Sequence, residues 1–89
     1  MEHSSEVTVV NKYGLHARPA AELVKLANRF GADVWIRKDE VEVSAKSIMG
    51  VMMLAAECGS QVQIRAQGDD AEQAVGALVE LVRNRFGED

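Results

Sequence analysis

The sequence predicts a two-layer sandwich of mixed α/β (α+β) class, with three helices laid on one face of a four-stranded sheet. Three observations carry this. Four short segments alternate apolar and polar residues, as strands with one buried and one wet face do. Three further segments repeat apolar residues at helical spacing. The chain has 89 residues, enough for one core and a single domain over residues 1–89. The resulting order is β-α-β-β-α-β-α. A ferredoxin-like arrangement of the strands is also compatible with it.

Met1 to Glu6 is polar and reads as a frayed tail, with His3 inert inside it. Val7–Val10 is β-branched and predicts the first strand. Asn11–Leu15 is a loop in which Gly14 can supply a positive φ. The first helix is expected from about Ala17 to Phe30. Ala20, Leu23, Val24 and Ala27 recur at helical spacing, Phe30 closes the set, and Gly31 follows as a C-terminal cap. Val34 and Ile36 alternate with Trp35 and Arg37, and Val41 and Val43 with Glu42 and Ser44. These are two strands joined by a turn near Lys38 and Asp39. A second helix is expected from about Ser47 to Ala56, with Gly59 ending that region. Val62, Ile64 and Ala66 mark the fourth strand, and Gly68, Asp69 and Asp70 a turn. Asp70 with Gln73 has the spacing of a capping box, and Ala71, Val75, Leu78, Val82 and Phe86 line one face of the last helix.

Bulk composition narrows the function. A formal net charge of −4 argues against nucleic acid as a partner, because phosphate backbones need a basic surface. Aromatics are only 4%, so base-stacking platforms are also disfavoured. The lone cysteine, Cys58, excludes an internal disulfide and reads as a small buried hydrophobe in a reducing cytosol. No signal peptide and no apolar run of the roughly 18 residues that span a bilayer is present, so a cytoplasmic protein without membrane insertion is expected.

The first chemical constellation is Gly14-Leu15-His16-Ala17-Arg18-Pro19, where a loop enters a helix. His16 falls at the N-cap, and Pro19 suits the first turn, whose N–H groups have no intrahelical partner. The backbone N–H groups of Ala17 and Arg18 and the helix dipole form an anion cradle. Arg18 adds a fixed charge and a fork of donors matched to phosphate oxygens. A nucleophilic imidazole thus stands beside a phosphate site. Taken alone, the same residues also suit a capping histidine with an ordinary surface arginine. No second ligand at suitable spacing makes His16 a metal site, no base partner for it is visible, and no cofactor is implied.

The second constellation is Ser44-Ala45-Lys46-Ser47-Ile48-Met49-Gly50-Val51-Met52. Ser47 is the expected N-cap of the second helix. At about 100° per residue, Ile48, Met49 and Met52 share one arc, while Val51 and Leu54 point elsewhere and can fill the core. A surplus apolar arc rich in methionine suits a surface that meets several partners.

Together the segments Gly14-Leu15-His16-Ala17-Arg18-Pro19-Ala20-Ala21 and Lys46-Ser47-Ile48-Met49-Gly50-Val51 resemble HPr, the histidine-containing phosphocarrier family of the bacterial phosphoenolpyruvate:sugar phosphotransferase system. The resemblance covers essentially the whole chain. It implies an open-faced sandwich with an antiparallel sheet ordered 1-4-2-3. It implies that enzyme I phosphorylates the δ1 nitrogen of His16, that sugar-specific IIA domains receive the phosphoryl group, and that Arg18 stabilises it. It further implies regulatory phosphorylation of Ser47 by an HPr serine kinase/phosphorylase. Ile48, Met49 and Met52 are the expected docking residues, with Lys25 and Lys46 as basic contacts on a chain more acidic than relatives with lysine-rich surfaces. The expected agent is a monomeric covalent carrier and not an enzyme. The competing reading is a regulatory module that binds through the Ser47 face and has no transport role.

Overall fold

The computed structural model describes residues 1–88; Asp89, the last residue of the expected single unit, lies outside them. The elements are β1 (Glu2–Thr8), α1 (Ala17–Ala27), β2 (Asp33–Lys38), β3 (Val41–Ser44), α2 (Ile48–Met53), β4 (Gln61–Gln67) and α3 (Ala71–Arg83), followed by a short turn of 3-10 type at Arg85–Gly87. The strands form one antiparallel sheet in the order β1-β4-β2-β3. This is the order the resemblance implies, and it removes the ferredoxin-like alternative. The β2–β3 hairpin turns at Asp39, which adopts a positive φ of 55°.

One face of the sheet is dry. Val34, Ile36, Val62, Ile64 and Ala66 point inward from the two central strands and are essentially inaccessible. They meet Leu23 of α1, Val51 of α2 and Val75, Leu78 and Val82 of α3, all in one core. Each large aliphatic side chain buried this way contributes about 1.5–3 kcal/mol relative to exposure. On the wet face Arg65 lies over the Trp35 ring, 4.0 Å from its centroid, and bonds Glu42 at 2.9 Å and Glu2 at 3.2 Å. The hydrogen bond from Arg65 holds the Glu42 carboxyl below its ordinary range.

Several boundaries differ from expectation, each for a local reason. The polar N-terminus is no tail: Glu2–Thr8 pairs residue for residue with Gln61–Gln67, and His3 lies opposite Ala66. Backbone pairing does not require apolar side chains, and the expected strand at Val7–Val10 instead leaves the sheet after Thr8. Helix α1 stops three residues before Phe30 because the Asn28 amide turns back and donates to the Val24 carbonyl at 2.9 Å. Gly31 is therefore not its cap. Asp70 stands at the N-cap of α3 but makes no capping bond. Its carboxylate accepts instead from the N–H groups of Gly31 at 2.9 Å and Ala32 at 2.8 Å, tying two loops together. Those two bonds hold the Asp70 carboxyl below its ordinary range. Helix α2 ends at Met53, well before Ala56, because Ala55 enters the left-handed region at φ 50°. Cys58 is exposed in the turn that follows, where Gly59 takes a φ of 96°. The expectation of a buried thiol fails because that turn lies on the surface. Phe86 is buried as expected, but from the turn beyond α3.

Candidate functional site

The loop that delivers His16 is held from both ends. Gly14 has a φ of 67°, and its Cα faces the backbone of Ala56 and Glu57 so closely that no side chain fits. Next to it, the Leu15 N–H donates to the Ala56 carbonyl at 2.9 Å, and the Leu15 side chain is buried. Asn11, wholly buried, donates from its amide nitrogen to the Gly14 carbonyl at 2.7 Å. His16 then occupies the N-cap of α1 in extended conformation, with no side-chain capping bond. The first intrahelical bond is Ala20 N–H to the His16 carbonyl, so the N–H groups of Ala17 and Arg18 precede it. The capping role considered for His16 is thus not the one its ring plays. Pro19 is buried in the first turn, where its missing N–H costs no helical bond.

The ring itself is 40% exposed and meets a group from the far end of the chain. Nε2 lies 3.1 Å from Oε2 and 3.4 Å from Oε1 of Glu88. An ionised carboxylate only accepts, so Nε2 carries the hydrogen in this contact. Asn11 donates to the other oxygen of Glu88 at 3.1 Å, and the Arg18 guanidinium stands 3.9 Å from the carboxylate. Tyr13 places its ring edge-on to the imidazole, 6.2 Å between centroids. Asn11, Tyr13 and Glu88 were not among the expected site residues. Asn11 could have been found from its turn-forming type three residues before Gly14. For Glu88, 72 positions from His16, no local signal exists.

Helix α2 divides as its spacing indicates. Val51 and Leu54 are buried, while Ile48, Met49 and Met52 are exposed, Met49 most of the three at 69%. Exposed Met53 and Tyr13 add to this apolar surface, although the spacing in the sequence does not single them out. Met52 and His16 line the same shallow hollow, floored by Leu15 and Ala56. Ser47 caps α2, its hydroxyl accepting from the Gly50 N–H at 3.1 Å. The two expected basic contacts differ: Lys25 is exposed on α1, seven residues and therefore nearly two full turns from Arg18 on one stripe, whereas the Lys46 ammonium is half-buried and donates to the Phe30 carbonyl at 2.8 Å. Among the described residues no group of three His, Cys, Asp or Glu side chains could hold a metal, and no helix is long and apolar enough to cross a membrane.

An exposed imidazole at a helix N-terminus, flanked by an arginine and an apolar surface, is the arrangement that the resemblance to small phosphoryl carriers leads one to expect. The family model for the HPr component phosphorylation site of the phosphotransferase system matches residues 3–84. Phosphocarrier protein HPr of Cupriavidus necator is 49% identical over 93% of both chains. The crystal structure of HPr-C-His from Thermoanaerobacter tengcongensis superposes with a TM-score of 0.94 at 46% identity, covering 98% of each chain. An HPr dimer from the same organism, 49% identical, gives 0.78 over 94% of this chain and 99% of that one. The chain belongs to the HPr family, the phosphocarriers of the phosphotransferase system.

Proposed function

We propose that this protein accepts a phosphoryl group on Nδ1 of His16 from phosphorylated enzyme I and passes it to sugar-specific IIA domains. The observation that carries the proposal is the placement of a half-exposed imidazole at the start of α1, next to two N–H groups outside the helical ladder and the Arg18 guanidinium. The His16 nitrogen attacks phosphorus as the bond from phosphorus to the donor breaks, its electron pair leaving with the donor. The new dianion is met by the Ala17 and Arg18 N–H groups, the helix dipole and Arg18, which can turn to it from its long contact with Glu88. Donor and acceptor dock in turn on Ile48, Met49 and Met52, with Lys25 on the same side as Arg18. Lys46 serves that surface through its hold on Phe30 more than as a free charge. Residues 1–89 act as one cytoplasmic, monomeric unit that carries the group without turning over a substrate of its own.

Ser47, at the edge of the docking surface, is the proposed regulatory phosphorylation site. A phosphate there adds about −1.5 to −2 charges at an N-cap. The helix tolerates such a charge, but docking partners must desolvate it.

Incubation with labelled phosphoenolpyruvate and enzyme I tests the carrier. Acid-labile, alkali-stable label is expected on the wild type and none on His16→Ala. Arg18→Ala should lower the transfer rate about 10²-fold or more, as loss of one group aimed at developing charge does. Label that persists in His16→Ala would place the phosphoryl group on another residue and end the proposal.

A further inference from the structure

The contact between His16 and Glu88 is costly to build. Arg85, Phe86 and Gly87 all lie in the left-handed region, at φ 59°, 55° and 76°. Side chains other than glycine avoid that region, and two adjacent ones persist in it only where the surroundings hold them. Phe86 does the holding: its ring is a buried plug, 6% exposed, at the edge of the core. The reversed turn carries Glu88 back over the start of α1. There its side chain is only 14% exposed and has both oxygens engaged, one by Asn11 at 3.1 Å and the other by the His16 Nε2 at 3.1 Å. Nδ1 of His16 has no hydrogen-bond partner among the described residues.

A neutral imidazole has one nitrogen that bears hydrogen and one that bears a lone pair, and the partner of the first decides which is which. We infer that Glu88 is a positioning residue that chooses the reactive nitrogen of His16: by accepting the Nε2 hydrogen it leaves the lone pair, and hence the phosphoryl group, to Nδ1. Asn11 fixes the carboxylate for this purpose. The inference deepens the proposed carrier function and rests on it for its biological meaning. In the transfer, the Nδ1 lone pair forms the bond to phosphorus, and the bond from phosphorus to the donor's leaving atom breaks with its pair going to that atom. No proton leaves His16. The ring becomes a cation at Nε2–H, directly against the Glu88 carboxylate.

Phosphoramidate, a small chemical donor, tests this without enzyme I. Its zwitterion delivers the phosphoryl group to imidazole and releases ammonia, so the regiochemistry reports the protein's own control. Wild type, Glu88→Ala and Glu88→Gln are compared, each with His3→Ala so that His16 is the only histidine labelled. Phosphorus and nitrogen NMR of the folded proteins then read the ratio of Nε2 to Nδ1 product. The wild type is expected to give Nδ1 product. In Glu88→Ala the Nε2 share should rise about tenfold, the change that loss of one charge-assisted hydrogen bond corresponds to. Glu88→Gln keeps the shape but has one oxygen for two donors: with Asn11 on that oxygen its NH2 group faces Nε2, so the Nε2 share should rise at least as far as in Glu88→Ala. A wild-type ratio in Glu88→Ala, or in the same-shaped Glu88→Gln, overturns the inference. Failure of the carrier proposal would show instead as absence of transfer from enzyme I, with the phosphoramidate result still readable.

Discussion

Replacing Gly14 by alanine tests whether the tight loop before His16 is a structural requirement. The residue has a φ of 67°, where an L side chain costs about 1–2 kcal/mol. The added Cβ would lie on the Ala56 carbonyl oxygen and 2.8 Å from the Glu57 Cα. Both are backbone atoms, so a rotamer change cannot relieve the clash, and overpacking of this kind costs about 1–3 kcal/mol. The Ala56 carbonyl is also the acceptor for the Leu15 N–H at 2.9 Å, and moving it forfeits about 0.5–1.5 kcal/mol. Together the loss is about 2.5–6.5 kcal/mol, a large part of the stability of a small domain. For a chain this short the melting temperature should fall by at least about 10 °C. Urea unfolding followed by circular dichroism measures the loss. Gly76→Ala is the control: it lies in the interior of α3, with ordinary φ and nothing within 4 Å of the added carbon, and should gain about 0.5–1 kcal/mol. If Gly14→Ala stays within about 0.5 kcal/mol of the wild type, the loop is not held as its geometry requires and the reasoning fails.

Three further outcomes are expected. Met49→Asp should weaken binding of both enzyme I and a IIA domain while melting as the wild type does, since Met49 is 69% exposed; an unfolded variant would return Met49 to the core. Ser47→Ala should cost about 0.5–2 kcal/mol of stability through the lost bond to the Gly50 N–H, whereas Ser47→Asp keeps an acceptor and should preserve stability while slowing His16 phosphorylation. Equal slowing by both would assign the effect to lost capping and not to charge. Asp70 should make stability fall in acid: its folded pKa is lowered by the Gly31 and Ala32 N–H groups, so its contribution is complete above the unfolded carboxyl value of about 3.9. Below that pH the unfolded chain takes up the proton first, and the contribution is lost as the folded pKa is approached. The urea midpoints of wild type and Asp70→Asn should therefore converge below about pH 4, and a gap independent of pH would contradict this.

The sequence by itself determined what is written within a few residues. The period of two placed Val62, Ile64 and Ala66 on the dry face of β4, and helical spacing separated Val51 from Met49 and Met52. Pro19 in the first turn put His16 at the N-cap of α1, and cap chemistry put Ser47 at the N-cap of α2. These features are legible because backbone geometry repeats locally and each residue's preference acts on its near neighbours. The tertiary structure alone decided what polar groups do when distant segments meet. Asp70 has the spacing of a capping residue yet serves Gly31 and Ala32, because two orphan N–H groups from another loop compete for the same carboxylate. Glu2 to Glu6 carries no apolar signal yet completes the sheet, because strand pairing is a contract between backbones. Glu88 reaches His16 only because a left-handed turn, pinned by Phe86 in the core, reverses the chain end. Such contacts depend on where the chain returns in space, and no pattern of neighbouring residues records that.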